Sequence, residues 1–204
     1  VVALGPAGLF AALLLARSGF RPLVLERGPE LDERVKAVEH FEKTGELNLN
    51  ANIQFGEGGA GTFSDGKLTT RVGDPLCAFV TDAFLQYGAP ADIAWRQKPH
   101  VGTDLLRGII RSIRQEIIAL GGEVRFNTAL TGLKIENGAL AGVETTAGDF
   151  ACEQLILAVG HSARDTFAML HGSGLPLECK PFSVGFRAEH LQTEIDKSLY
   201  HAAA

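Results

Sequence analysis

The sequence has little cysteine: Cys77, Cys152 and Cys179 lie far apart and form no C-x-x-C or zinc-type spacing. That pattern excludes a disulfide framework and offers no thiolate metal site, so reduced thiols in a cytoplasmic setting and no bound metal are expected. Long hydrophobic runs are missing as well. The longest strongly apolar stretch, LFAALLLA, falls far short of the roughly 20 residues that cross a bilayer, and no membrane partner is expected. Nor is there an excess of positive charge. Nineteen Lys and Arg stand against 24 Asp and Glu, a net charge of −5, which argues against binding to a phosphate backbone as the main activity and hence against a nucleic-acid partner. Internal repeats and low-complexity linkers are absent. The chain opens on Val1 inside an apparent strand, without a methionine, and ends at HAAA without a closing element, so it is expected to be a piece of a longer protein.

What is present begins with VVALGPAGLF, a buried apolar strand running into a glycine-punctuated turn. Dinucleotide-binding folds place G-x-G-x-x-G at that junction, one glycine for the tight turn, one for the close approach of backbone to a pyrophosphate, and one for helix packing. Gly5 and Gly8 hold the second and third places, while Ala3 stands in the first. A left-handed backbone there would cost an alanine on the order of 1–2 kcal/mol. A helix starting near Pro6 presents unpaired N–H groups and a positive dipole end, both suited to a pyrophosphate.

Leu9 to Ser18 is rich in Ala and Leu, with Gly19 as a stop, and RPLVLERG follows as a second strand. Strand, helix, strand predicts a parallel βαβ unit. Glu26 ends that second strand about 20 residues beyond the turn, where a carboxylate accepts hydrogen bonds from a ribose hydroxyl. A solvent-facing glutamate is the other reading.

Leu31, Val35, Val38 and Phe41 recur at helical spacing and predict an amphipathic helix over 30–43. QFGEGGAGTFSDGKL is too glycine-dense for helix or strand. Its Gly56, Gly58, Gly59, Gly61 and Gly66 let backbone N–H groups approach a ligand, and Thr62, Ser64, Asp65 and Lys67 add polar contacts. The loop either cradles a cofactor opposite the first turn or is a surface lid. Helices are expected over 76–87 and from a Thr103 or Asp104 cap to Leu120, with a stop at Gly121-Gly122. Asn137-Gly138 and Gly148-Asp149 punctuate an antiparallel meander over roughly 130–152, after which the apolar run Leu155 to Val159 returns to the parallel sheet. This interruption after Glu26 favours a flavoprotein-type fold over a plain NAD-binding domain.

GPAGLFAALLLARSGFRPLVLERG, NIQFGEGGAGTFSDGKLTTR, KPHVGTD, LILAVGHSARDTF and CKPFSVGFR together resemble the bacterial FAD-dependent (NAD(FAD)-utilising) dehydrogenases of largely unassigned substrate, relatives of the glutathione-reductase-type flavoproteins. The resemblance covers nearly the whole chain. It implies an α/β, Rossmann-like FAD-binding fold with a mostly parallel sheet and a small antiparallel meander, the FAD/NAD(P)-binding domain taking 1–175 and the start of a truncated substrate-side region taking 176–204. It implies a cytoplasmic FAD-dependent oxidoreductase that acts on a small-molecule substrate, with NAD(P)H as an accompanying reductant. Carried over by position, Gly5, Pro6, Ala7 and Gly8 meet the pyrophosphate and Glu26 the adenosine ribose, with Arg27 and Arg34 near the adenine end or phosphates. Gly56, Gly58, Gly59, Ala60, Gly61 and Thr62 belong to the cofactor set. Leu130 offers backbone to the adenine edge, and Ala158 and Gly160 close over the cofactor, Val159 replacing the usual Thr. Lys67 either tunes the flavin N1 and O2 edge or is a loop lysine. His161 and Asp165 are candidates for proton relay, with a structural role as the alternative. No catalytic residue is assigned. A non-catalytic dinucleotide-binding or sensing module and an RNA-modifying flavoprotein stay open as alternative functions, and the substrate, electron acceptor and oligomeric state are not set by the sequence.

Overall fold

The computed structural model describes residues 1–64, 66–70, 72–96, 98–186 and 188–201. Helix α1 (Pro6–Arg17) starts with proline at its first position, where a missing N–H costs nothing, and buries Gly8, Leu9, Ala12, Leu13 and Ala16. Ser18 caps its end, and Gly19 takes a positive φ that turns the chain into β1 (Leu23–Leu25). β1 pairs in parallel with β2 (Glu123–Arg125). Val2 bridges in parallel to Leu25 on one side and to Leu157 on the other, giving the order β2, β1, Val2, Leu157. The expected βαβ unit and the return of the LILAVG run to the sheet are both found.

That return is slighter than the apolar run suggests. Leu157 joins by a single bridge, held by Val2 N–H to the Ile156 carbonyl at 2.9 Å and Ala158 N–H to the Val2 carbonyl at 3.0 Å. Ile156 and Leu157 stay 42% and 36% exposed, because among the described residues no strand pairs on their far side.

Helix α2 (Leu31–Thr44) ends at Gly45, whose left-handed φ of 78° lets its N–H reach the Phe41 carbonyl. Leu31 and Val38 are buried as their spacing predicts, but Phe41 is partly exposed and the fully buried Arg34 shares their face. Helix α3 (Cys77–Gln86) lies within the expected span. Helix α4 (Thr103–Ala119) stacks Leu106, Ile109, Ile110, Ile113 and Ile117 along one face against α1. Leu4, Leu9, Leu13, Val24, Ile113 and Ile117, nearly or wholly solvent-free, form the heart of this core, each contributing about 1.5–3 kcal/mol. The cap of α4 differs from expectation: Gly102, at φ 86°, is the cap, and Thr103 instead donates its hydroxyl to the Ser64 carbonyl at 2.6 Å, tying α4 to the glycine-rich loop.

The meander forms β3 (Leu130–Glu136), β4 (Ala139–Thr145) and β5 (Gly148–Ala151), antiparallel throughout. Asn137 and Gly138 both take positive φ (50° and 80°), the signature of a two-residue hairpin turn that matches strand twist. Helix α5 (Arg164–Gly172) packs on β3. The described residues of 175–191 then run without helix or strand, with Phe182, Val184 and Phe186 exposed, into α6 (Gln192–Leu199). Among the described residues no helix is long and apolar enough to cross a membrane.

Candidate cofactor site

The turn between Val2 and α1 is built by strain and close contact. Ala3 takes φ +75°, the left-handed conformation that penalises a side chain, and so stands where glycine is the easier residue. Its carbonyl points at Gly8: a Cβ there would lie 1.9 Å from the Ala3 oxygen. Gly8 therefore lets α1 sit against the strand. Gly5 is different. Its φ of −67° suits any residue, and nothing lies within 4 Å of where its Cβ would be. The first intrahelical bond runs from Leu9 N–H to the Gly5 carbonyl, so the N–H groups of Ala7 and Gly8 have no acceptor within the helix.

Glu26 sits 2% exposed beneath this turn, its two carboxylate oxygens accepting N–H bonds from Leu4 at 2.7 Å and Gly28 at 2.8 Å. Burial pushes its pKa up, against the opposing pull of those two amides and of Arg34 and Arg27. Arg27 reaches across to Asp165 in the first turn of α5, and that contact holds the Asp165 carboxyl below the ordinary range.

The glycine-rich loop lies against the turn. Gly58 N–H donates to the Leu4 carbonyl at 2.8 Å, and a Cβ on Gly59 (φ 69°) would strike the Pro6 ring at 2.6 Å. Only glycine allows that approach. A short 3-10 turn, Ala60–Phe63, follows, and Thr62 is wholly buried with its hydroxyl near the Glu57 carbonyl.

Between turn and loop runs a cleft of about 620 Å³. Of the sequence-predicted residues, it brings together Gly5, Pro6, Ala7, Glu26, Arg27 and Gly56, and with them Gly59, Ala60, Leu130, Ala158 and Gly160. His161 lines it too. Gly160, like Gly5, has open space where a Cβ would be. Gly8, Arg34, Gly58, Gly61, Thr62 and Lys67 do not line it; Gly8, Gly58, Thr62 and Arg34 lie in the packing behind it, and Lys67 forms a backbone bridge with His100. Asp65 and Arg187 fall outside the described residues. Sequence reasoning missed Gln54, Phe55, Thr128, Thr166 and Phe167 among the lining residues, since nothing in their spacing sets them apart. It also missed Glu57, whose signal was a lone acid inside a glycine run. A second, polar cleft of about 780 Å³ shares Arg27 with the first.

A parallel sheet, a glycine turn opening a helix, an acid ending the next strand and an antiparallel meander are the architecture of flavoprotein-type dinucleotide-binding folds. Residues 107–203, just under half of the chain, match the DAO family model, described as FAD dependent oxidoreductase. An uncharacterized protein of Clostridium beijerinckii is 51% identical over 200 residues, covering 98% of this chain. The chain spans 38% of that relative's length. Among solved structures, THI4 of Thermovibrio ammonificans superposes with a TM-score of 0.52 at 16% identity, over 86% of this chain and 62% of that one. Glycine oxidase of Bacillus cereus gives 0.48 at 14% identity, over 84% and 58%.

The cleft fits FAD. It offers helix N–H groups at one wall, carries a buried carboxylate, and keeps at Gly5 a glycine that neither a protein contact nor its φ requires.

Proposed function

We propose that this chain holds FAD in the cleft between the first turn and the glycine-rich loop, and that the protein containing it is an oxidoreductase passing hydride between NAD(P)H or a small organic substrate and the flavin. FAD supplies the hydride acceptor and donor; the protein binds and orients it. The observation that carries this reading is Gly5, which lines the cleft with open space at its Cβ position and a φ of −67° that any residue adopts. Neither a contact inside the protein nor the backbone conformation calls for glycine there, whereas Gly160, which also lines the cleft, takes a φ of 75° that favours glycine by itself.

In this reading the free N–H groups at the start of α1, around Gly5, Pro6 and Ala7, receive the pyrophosphate. Glu26 orients the adenosine ribose. Each of its oxygens spends one lone pair on a backbone amide, and a carboxylate oxygen has a second to offer. Leu130 offers backbone to the adenine edge, Ala158 and Gly160 close over the ligand, and Gly56, Gly59 and Ala60 of the glycine-rich loop form the opposite wall. Lys67, held by an isolated antiparallel bridge to His100, is proposed for the flavin edge. Residues 1–175 form the cofactor domain and 176–204 open the substrate-side region. The compartment is cytoplasmic.

The test is titration of the full-length protein with FAD, followed by anaerobic addition of NADH and of NADPH. A flavin spectrum that bleaches with either nucleotide supports the reading. Failure to bind FAD refutes it, and bound flavin that stays oxidised with every donor supports a non-catalytic module instead.

A further inference from the structure

The glycine-rich loop holds itself only by short-range turns, such as Gly59 N–H to the Gly56 carbonyl and the 3-10 turn Ala60–Phe63, and one side chain from α2 ties these turns together. Arg34, fully solvent-free on α2, donates from Nε to the Asn52 carbonyl at 3.0 Å, from Nη1 to the Glu57 and Gly59 carbonyls at 2.6 and 3.0 Å, and from Nη2 to the Ile53 carbonyl at 2.9 Å. Four loop carbonyls thus converge on one guanidinium. The Phe63 ring lies 4.8 Å from it, and a Cβ on Gly56 would come within 2.8 Å of its Nε.

The loop answers with Glu57, also solvent-free. Its Oε2 accepts the Leu31 N–H at 2.8 Å, capping the helix that carries Arg34, and its Oε1 accepts Arg114 Nε of α4 at 2.7 Å. Loop and helix hold each other reciprocally. What this arrangement positions is Gly58 and Gly59, the two residues that touch Leu4 and Pro6 at the cofactor turn.

We infer that Arg34 is a positioning residue for the cofactor, acting through the loop: it fixes Gly56 and Gly59 as the cleft wall without lining the cleft itself, and Glu57 with Arg114 holds the loop from the other side. The inference rests on the FAD reading above. A lysine cannot replace this arginine, because three donors on one nitrogen cannot span four carbonyls that a planar fork reaches.

The experiment compares wild-type full-length protein with Arg34→Lys, reading FAD affinity by flavin fluorescence and, separately, amide exchange of the ligand-free protein. Arg34→Lys is expected to weaken FAD binding by about tenfold to a hundredfold, the loss of one or two hydrogen bonds to a charged group. Exchange at Gly58 and Gly59 should quicken while the amides of α4 keep their protection, a pattern that general destabilisation would not give. Unchanged affinity with unchanged loop exchange overturns the inference. If Arg34→Lys does not fold, Arg114→Lys serves, since it leaves Arg34 in place and loosens the hold on Glu57, along with the weaker contacts to Glu30 and the Phe126 ring. A loss of a few fold is then expected, and wild-type affinity overturns the inference. Absence of FAD binding by the wild type refutes the underlying reading, which separates the two failures.

Discussion

Two glycines three residues apart, each replaced by alanine, should fail in opposite ways. At Gly8 the new Cβ would meet the Ala3 carbonyl oxygen at 1.9 Å and the carbonyl carbon at 3.0 Å, and a backbone carbonyl, unlike the end of a flexible side chain, cannot swing aside cheaply. Overpacking of this kind costs about 1–3 kcal/mol or more, offset by roughly 1 kcal/mol from alanine's better helix propensity. A net loss of about 2 kcal/mol lowers the melting temperature by about 4–8 °C in a domain of this size. At Gly5 the Cβ enters open space at a φ that alanine adopts freely, so only the modest advantage of glycine over alanine as a helix cap is lost, at most about 1 kcal/mol. The methyl group instead occupies the cleft. Gly5→Ala should keep a near wild-type melting curve and lose at least about tenfold in FAD affinity, the equivalent of one missing hydrogen bond or an ångström of displacement. Thermal melts of the ligand-free protein and flavin fluorescence titration separate the two. A Gly5→Ala protein that binds FAD like the wild type, or melts as early as Gly8→Ala, refutes the argument that Gly5 is kept for a ligand.

Ala3→Gly should stabilise the ligand-free protein: relief of about 1–2 kcal/mol of left-handed strain exceeds the roughly 0.5–1 kcal/mol of extra chain entropy, and Ala3→Val should destabilise it by denaturant melts. Glu26→Gln removes a buried carboxylate but sets an amide NH2 against the N–H of Leu4 or Gly28, so it should lower stability despite removing the charge. Its pH profile is diagnostic. Because burial raises the Glu26 pKa, the folded state holds this proton more tightly than the unfolded one, and the Glu26 contribution weakens as pH rises from the ordinary glutamate range through the raised value. The difference between wild-type and Glu26→Gln melts should shrink across that window; a difference that grows with pH contradicts it. Asp165→Asn breaks the contact with Arg27, whose effect has the opposite sign: a lowered carboxyl pKa stabilises above the ordinary aspartate range and is lost as pH falls through the lowered value. With Asp165 largely exposed, the loss should be at most about 1 kcal/mol and should fade with added salt.

The parts of this molecule that the sequence announced are those governed by local chemistry. Pro6 and Gly19 bracket α1 because one needs no N–H and the other tolerates positive φ; Asn137-Gly138 makes a hairpin turn for the same steric reason. Ala3 was legible as a misfit, and its φ of +75° shows why. The cleft's outline was legible through the spacing of Gly5, Gly8 and Glu26. What was not legible depends on where distant segments meet. No pattern in 30–43 distinguishes Arg34 from the exposed charges around it, since burial of a guanidinium is decided by four carbonyls 18 to 25 positions downstream. An apolar periodicity rule assigns that face to Leu31, Val35, Val38 and Phe41 and has no place for Arg34. The same limit hid the pairing of Arg27, expected near the adenine end or the phosphates, with Asp165, 138 positions apart, which ties the segment after β1 to α5.

This division has a consequence for reading related chains. A glycine turn reports that backbone can approach a ligand, and a glycine-rich loop reports the same for the opposite wall, but neither reports that the two walls are held at the distance a dinucleotide needs. Here that distance is set by charges that look like surface residues in the sequence: Arg34, Glu57 and Arg114, together with Glu26, buried or nearly so and summing to no net charge. Buried ionic groups cost several kcal/mol each to desolvate and are weak evidence of stability by themselves. Their presence behind a cleft, bonded to the backbone of its walls, makes better sense as geometry than as adhesion. A chain that kept both glycine motifs but replaced Arg34 and Glu57 by apolar residues would leave the Asn52, Ile53, Glu57 and Gly59 carbonyls, the Leu31 N–H and Arg114 Nε without these partners, so it should lose stability and bind FAD less tightly. Amide protection lost in the glycine-rich loop before it is lost in α4 is the signature this argument requires in that double variant, and uniform loss across both contradicts it.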